Sequence, residues 1–83
     1  MTSEFQLTLI GKPGCHLCDD AEVVINSVLA DFADRAEVTK LNVLEDESLF
    51  ARYSEEIPVL LINGKVHNYW HIDPERLREA LNS

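Results

Sequence analysis

Apolar positions alternate with polar ones at the start of the chain and then recur at a helical period. The alternation over residues 5–10, which ends in the apolar pair Leu9-Ile10, predicts a central strand. From Cys18 onward the spacing between apolar residues widens to three or four positions. It predicts a helix that is buried on one face and ends near Ala33, with its buried stripe at Ala21, Ile25, Val28 and Phe32.

The middle of the chain predicts a second strand followed by a short helix. The strand is expected from Val38 to Val43, with Leu41 and Val43 on one face. Asp46 is suited to cap the helix, because its side-chain oxygen can accept a hydrogen bond from a first-turn N–H group. The larger apolar side chains expected on this helix are those of Leu49, Phe50 and Tyr53.

The last third of the chain predicts a hairpin and a closing helix. The run 58–62 predicts a third strand, and Asn63-Gly64 predicts a tight turn because both residues accept positive φ. The fourth strand is expected from Lys65 to about Tyr69. Asp73 then suits the cap of the last helix and Pro74 its first position, while Ile72 can pack on Leu77.

The predicted order of elements is βαβαββα. Two strands joined by a long helix are expected to be parallel, with a right-handed crossover, and the hairpin should then add antiparallel strands. The sequence therefore predicts an α/β fold of the thioredoxin-like βαβαββα order, with a four-stranded mixed sheet and helices on both faces. Its 83 residues are expected to form one domain, 1–83.

Composition and charge exclude several classes of function. Seven basic and 15 acidic residues give a net charge of −8, which argues against nucleic acid or an anionic membrane as a partner, since both require a basic face. The first residues lack the features of a signal peptide, and no apolar run approaches the ~18 residues of a membrane span. Two cysteines one helical turn apart do not make a disulfide-stapled scaffold. We expect a cytoplasmic monomer.

The segment 11–18, Gly-Lys-Pro-Gly-Cys-His-Leu-Cys, lies between the first predicted strand and the first predicted helix. A helix N-terminus favours a thiolate, because first-turn N–H groups without intrahelical partners point at it and the helix dipole adds partial positive charge. Cys15 occupies that position, and Cys18 lies one turn further on the same face. The pattern is typical of a redox-active dithiol.

In three places the chain resembles the thioredoxin fold and, at this length, its glutaredoxin-like branch: Cys15-His16-Leu17-Cys18, Ile57-Pro58 and Asn63-Gly64. The resemblance implies that Cys15 is the catalytic nucleophile and Cys18 the resolving cysteine. It also implies that Pro58 is a cis-proline facing the dithiol. The backbone of Ile57 would then be free to pair with an extended substrate as an added strand.

The chain departs from the glutaredoxin pattern after the hairpin. Glutathione-binding glutaredoxins usually carry a Gly-Gly pair there, whereas this chain has the segment 67–71, His-Asn-Tyr-Trp-His. Tyr69 and Trp70 are expected to pack in the core or at the sheet edge rather than to contact substrate. Lys12 could attract a glutathione carboxylate, and His16 could support the thiolate as a cation or a donor. Glutathione therefore stays open as a co-substrate.

The leading hypothesis is a thiol–disulfide oxidoreductase active in electron transport, which needs no cofactor beyond its thiols. Its expected partners are a disulfide-bearing protein or a low-molecular-weight thiol, and its reductant is not identified by the sequence. Two alternatives stay open: a metal or iron–sulfur module through the same cysteines, and a redox-inactive interaction domain on the same fold. His67 and His71 are expected to be surface residues, and no metal ligand is assigned.

Overall fold

The computed structural model describes residues 4–82. The strands within this range are β1 (Phe5–Gly11), β2 (Ala36–Asn42), β3 (Val59–Ile62) and β4 (Lys65–Tyr69). The helices are α1 (His16–Leu29), α2 (Glu47–Tyr53) and α3 (Pro74–Asn82), and one 3-10 turn covers Val43–Glu45. Within residues 4–82, none of the helices combines the length and the apolar character that a membrane span requires.

The four strands form one mixed sheet in the order β2-β1-β3-β4. β1 and β2 are parallel neighbours, whereas β3 is antiparallel to both β1 and β4. This arrangement confirms the predicted four-stranded sheet and the predicted directions of its strands. β1 therefore lies inside the sheet, with its carboxyl end leading directly into the cysteine motif.

Successive residues of β1 and β3 face opposite sides of the sheet, and each side carries its own apolar cluster. One cluster joins Leu7 and Leu9 of β1 to α1 and α3, with Ile25 and Leu77 among its buried members. The other contains Ile10, Val59 and Cys18, with residues of α2 packed against it. Helices therefore cover both faces of the sheet, and Cys18 lies in the smaller cluster.

The turn and cap residues adopt the conformations that their sequence predicts. Asn63 and Gly64 have φ values of 52° and 85°, and the Asn63 side chain accepts a hydrogen bond from the Gln6 N–H at 2.8 Å. Asp46 accepts from the first turn of α2 at 2.8 Å. Asp73 accepts from the first turn of α3 at 2.9 Å, with Pro74 as the first helical residue.

Two predicted boundaries are wrong. α1 ends at Leu29 rather than near Ala33. After Leu29 the chain contains backbone hydrogen bonds that join residues three positions apart instead of four, as in the bond from the Phe32 N–H to the Leu29 carbonyl at 2.9 Å. Phe32 still packs against the core, which explains why the apolar spacing continues past the helix.

β2 begins at Ala36 and ends at Asn42, whose side chain caps the 3-10 turn that follows. Val43 is 1% exposed and Leu41 40%, so the two side chains do not share a buried face.

Candidate active site

Cys15 is the N-cap residue of α1. Its backbone is extended, with φ −97° and ψ 114°, and its half-buried sulfur accepts a hydrogen bond from the Cys18 N–H at 3.2 Å. This N–H group is one of the first-turn donors that have no partner within the helix. The donor and the positive end of the helix dipole both interact favourably with a negatively charged sulfur at this position.

Cys18 lies behind Cys15 and is 7% exposed. Burial, followed by a hydrogen bond to the Cys15 side chain, raises the pKa of the Cys18 thiol to about 11. A backbone hydrogen bond from Lys12 acts in the opposite direction on the same pKa, and the charge of Asp19 raises it further. The two sulfurs are therefore different chemically: one is accessible at a helix terminus, and the other is held as a neutral thiol.

Gly11 permits the close approach of β1 to Cys18. A Cβ atom added to Gly11 would lie 2.9 Å from the Cys18 sulfur and 3.2 Å from the Cys18 Cβ. Atoms at such separations must move, so any side chain at this position would displace the thiol. The requirement for glycine comes from contact with the site, since Gly11 does not have a positive φ.

Ile57 lies in one apolar cluster with the dithiol, and Pro58 follows it in the chain. Ile57 belongs to the same apolar cluster as Cys18, and Cys15 packs against that cluster. Pro58 is fully buried, and the Ile57–Pro58 peptide bond is cis. The structure therefore brings Ile57 into one cluster with Cys15 and Cys18, although it is about 40 positions away from them in the chain. That Pro58 faces the dithiol stays a prediction.

Lys12 and His16 are both exposed at the same end of the molecule. His16 is the first residue of α1. Lys12 lines a cavity of about 270 Å³ that also reaches Cys18. This cavity is also lined by Glu22 and Lys40, which form an ion pair at 2.9 Å. Lys12 therefore lies beside the buried thiol, and His16 stands at the exposed start of the helix.

Trp70 is a site residue that the sequence analysis did not identify. Its backbone N–H donates to the Pro58 carbonyl at 2.8 Å, and its indole Nε1–H donates to the Glu55 carbonyl at 3.1 Å. Its φ is 64°, a left-handed conformation that costs a bulky residue on the order of 1–3 kcal/mol.

Trp70 and Tyr69 pack at the sheet edge and not in the core, which is one of the two placements that the sequence predicts. Their side chains are 50% and 44% exposed, and the two rings meet edge to face with centroids 5.0 Å apart. Tyr69 is the last residue of β4, an edge strand of the sheet, and Trp70 follows it directly. The signal in the sequence was the aromatic pair at the position where glutaredoxins usually have Gly-Gly.

The two histidines after the hairpin differ in burial. His71 is exposed as expected, whereas His67 is partly buried and its Nε2 has no hydrogen-bond partner. Burial lowers the pKa of His67, and the nearby Arg76 charge acts in the same direction. Among residues 4–82, no three or more histidine, cysteine or acidic side chains are grouped as a metal ion would require.

The arrangement of strands and helices defines a thioredoxin-like fold. Mitochondrial thioredoxin 3 from Saccharomyces cerevisiae in its oxidised form superposes with a TM-score of 0.68, over 98% of this chain and 79% of that one, at 13% identity. The X-ray structure of protein XcR50 from X. campestris superposes with a TM-score of 0.75 at 30% identity, over 92% of this chain and 95% of that one.

Within this fold the chain belongs to the glutaredoxin-like domain family (DUF836), whose model matches residues 6–82. The chain is also 29% identical over 72 residues to a protein from Methanothermobacter thermautotrophicus that is described as a probable thioredoxin. The matched region covers 86% of this chain and 85% of that protein. Fold and family together support a redox role.

Proposed function

We propose that this protein is a dithiol thiol–disulfide oxidoreductase in which Cys15 attacks a disulfide and Cys18 resolves the product. One observation carries the proposal: the half-buried sulfur of Cys15 caps α1 and accepts the Cys18 N–H, while the Cys18 thiol is buried one turn away. A nucleophilic cysteine needs an electropositive, accessible environment, and an inert cysteine is typically enclosed. The two sulfurs of this motif differ in that way.

The reaction consists of two exchanges. The Cys15 thiolate attacks one sulfur of the substrate disulfide, a mixed disulfide forms, and the other substrate sulfur leaves as a thiolate that takes up a proton. Cys18 then loses its proton to solvent and attacks the Cys15 sulfur. The Cys15–Cys18 disulfide forms and the second substrate thiolate leaves. The substrate gains two electrons, the dithiol loses two, and an external thiol reductant restores it.

The second exchange requires the Cys18 thiolate, which the protein environment disfavours before substrate binds. The pKa of the Cys18 thiol is about 11, mainly because of burial. In the mixed disulfide the Cys15 sulfur carries no charge, so its contribution to this pKa disappears while burial remains. Resolution should therefore become faster with rising pH, by about tenfold per unit while the thiol is mostly protonated.

Substrate is proposed to bind across Ile57. Among the described residues, no backbone hydrogen bond involves the N–H or the carbonyl of Ile57, and β3 begins two residues later. An extended segment can satisfy such groups by adding a strand. Lys12 and His16 are proposed as supporting residues, since both are exposed at the start of α1 and the charge of Lys12 suits a carboxylate such as that of glutathione.

The partner is accordingly proposed to be a disulfide-bearing protein or a low-molecular-weight thiol, and the working form a cytoplasmic monomer. To identify the reductant, the oxidised protein is incubated with glutathione or with a thioredoxin-type donor, and reduction is followed by the mass shift after alkylation. Rapid reduction by glutathione alone would identify it as the electron source.

The mechanism is tested with the variants Cys15→Ser and Cys18→Ser. Because the chain has only these two cysteines, each variant keeps one thiol. Cys15→Ser should lose disulfide reductase activity, whereas Cys18→Ser should accumulate the mixed disulfide, visible as the added mass of the substrate thiol. Ser27→Ala, an exposed change on α1, serves as the control. Wild-type activity in Cys15→Ser would contradict the proposal.

A further inference from the structure

We propose that Trp70 is a positioning residue that holds the segment Glu55–Pro58 in place to receive a polypeptide substrate. The inference rests on the proposed function, because it assigns the substrate class of the same site. Its basis is that a single residue donates two hydrogen bonds to the two ends of this segment, to the Glu55 carbonyl and to the Pro58 carbonyl. Ile57 lies between the two contacts.

The two hydrogen bonds fix the segment at points three residues apart. The backbone bond, at 2.8 Å, ties Pro58 to the end of β4, and the indole bond, at 3.1 Å, ties Glu55 to the same residue. A third bond, from the Glu56 N–H to the Tyr53 carbonyl at 2.8 Å, connects the segment to α2. The backbone of Ile57 is thus held from both sides, which is what an added strand requires of its template.

The conformation of Trp70 also indicates a specific role. Its φ of 64° is disfavoured for a bulky side chain and easily adopted by glycine. Glycine at this position could keep the backbone bond to Pro58, yet it would lack the indole donor that reaches Glu55. A strained conformation persists only where the surroundings determine it, and such residues cluster at binding sites. Here the surroundings include both carbonyl acceptors.

The substrate class follows from the geometry of the anchored segment. Only an extended chain that continues on both sides of its cysteine can form main-chain hydrogen bonds with Ile57 while its sulfur is at Cys15. The indole of Trp70 contacts the Glu55 carbonyl at one end of this segment, so the proposed path of the substrate runs close to it. A small disulfide reaches Cys15 without using the segment, so its reaction does not depend on Trp70.

The experiment compares two substrates with the same reacting bond: an extended peptide whose central cysteine is in a mixed disulfide with a small thiol, and free cysteine in the same mixed disulfide. Trp70→Phe removes the indole donor and keeps an aromatic ring. We expect its KM for the peptide to rise roughly 5-fold, the effect of losing one neutral hydrogen bond, with kcat unchanged. The kinetics with the cysteine substrate and the alkylation rate of Cys15 should also stay unchanged. Tyr69→Phe keeps the ring contact and is the matched control.

Two results would overturn the inference. One is an unchanged KM for the peptide in Trp70→Phe. The other is an equal loss on both substrates together with slower alkylation of Cys15, since that pattern reports a general change of structure.

A binding measurement covers the case in which Trp70→Phe does not fold. Trp70 is the only tryptophan in the chain, so its fluorescence can be followed without a label. In Cys15→Ser, which lacks the proposed nucleophile, the peptide substrate should change this fluorescence in a saturable manner and the cysteine substrate should not. No change with the peptide contradicts the inference. Because this assay needs no turnover, it remains valid if the proposed function itself fails.

Discussion

The contact between Gly11 and Cys18 gives the sharpest test of how the site is packed. Gly11→Ala would bring a methyl group to 2.9 Å from the Cys18 sulfur. Overpacking of this kind costs about 1–3 kcal/mol, whereas replacing glycine by alanine inside a strand gains about 0.5–1 kcal/mol. The expected net loss in the free energy of unfolding is therefore about 1 kcal/mol, within a range of roughly 0–2.5 kcal/mol.

The same substitution should cost much less when the sulfur is absent. In Cys18→Ala, the nearest side-chain atom to the new methyl group is the Cβ of residue 18 at 3.2 Å, which can be relieved by a shift of a few tenths of an ångström. Gly11→Ala in this background should be nearly neutral. The four proteins form a double-mutant cycle, and we expect a coupling energy of about 1 kcal/mol with the double variant more stable than additivity predicts.

The assay is urea denaturation at pH 7 with excess reductant, so that no disulfide forms and the m-values can be compared. Gly14→Ala is the matched control. A Cβ at Gly14 would meet no heavy atom within 4 Å, but φ is 76°, so its cost of about 1–2 kcal/mol should come from the backbone and be equal in both backgrounds. If Gly11→Ala costs the same in both backgrounds to within about 0.3 kcal/mol, the sulfur is not the obstacle and the packing argument is wrong.

Three further predictions concern pH, capping and the hairpin. In the folded protein the pKa of Cys18 is raised from 9.0 to about 11, so the free energy of unfolding should fall as pH rises from 9 to 11. Urea titrations should show a fall on the order of 2 kcal/mol relative to Cys18→Ala. The same pH dependence of the free energy of unfolding in both proteins would contradict this. Asp73→Ala and Asp46→Ala should each cost about 1 kcal/mol in the same assay, because each removes a cap, and Asp73→Asn should cost much less. Asn63→Ala should cost about 1–3 kcal/mol through its positive φ and its lost bond to Gln6, whereas Asn63→Gly should cost less; equal losses would show that φ is unimportant.

The parts of the fold that depend on local chemistry could be predicted from the sequence. Asn63-Gly64 determines a turn because both residues tolerate positive φ, and Asp73-Pro74 starts a helix because one supplies an acceptor and the other needs no N–H partner. The position of Cys15 at the start of α1 follows from the strand, the glycines and the helical period around it. These signals extend over only a few residues, so a single sequence contains them in full.

The parts that depend on distant contacts could not be predicted. The apolar spacing predicts too long a helix because Phe32 packs against the core from beyond the end of α1, and that contact with distant residues maintains the spacing. Leu41 was misplaced because β2 is an edge strand, whose exposure depends on the order of strands in the sheet. The role of Trp70 depends on carbonyl groups 12 and 15 positions away, and no local pattern indicates that pairing.

The different depths of the two sulfurs have a consequence for timing. An encounter from solution can begin only at the outer sulfur, because the inner one is enclosed between α1 and the end of β1. Under the proposed chemistry, the arrival of substrate at Cys15 therefore determines when the reaction starts. Loss of the proton from Cys18 determines how long the substrate stays attached as the mixed disulfide. Gly11 packs against the enclosed sulfur, so the lifetime of the mixed disulfide should depend on the one residue of β1 that has no side chain.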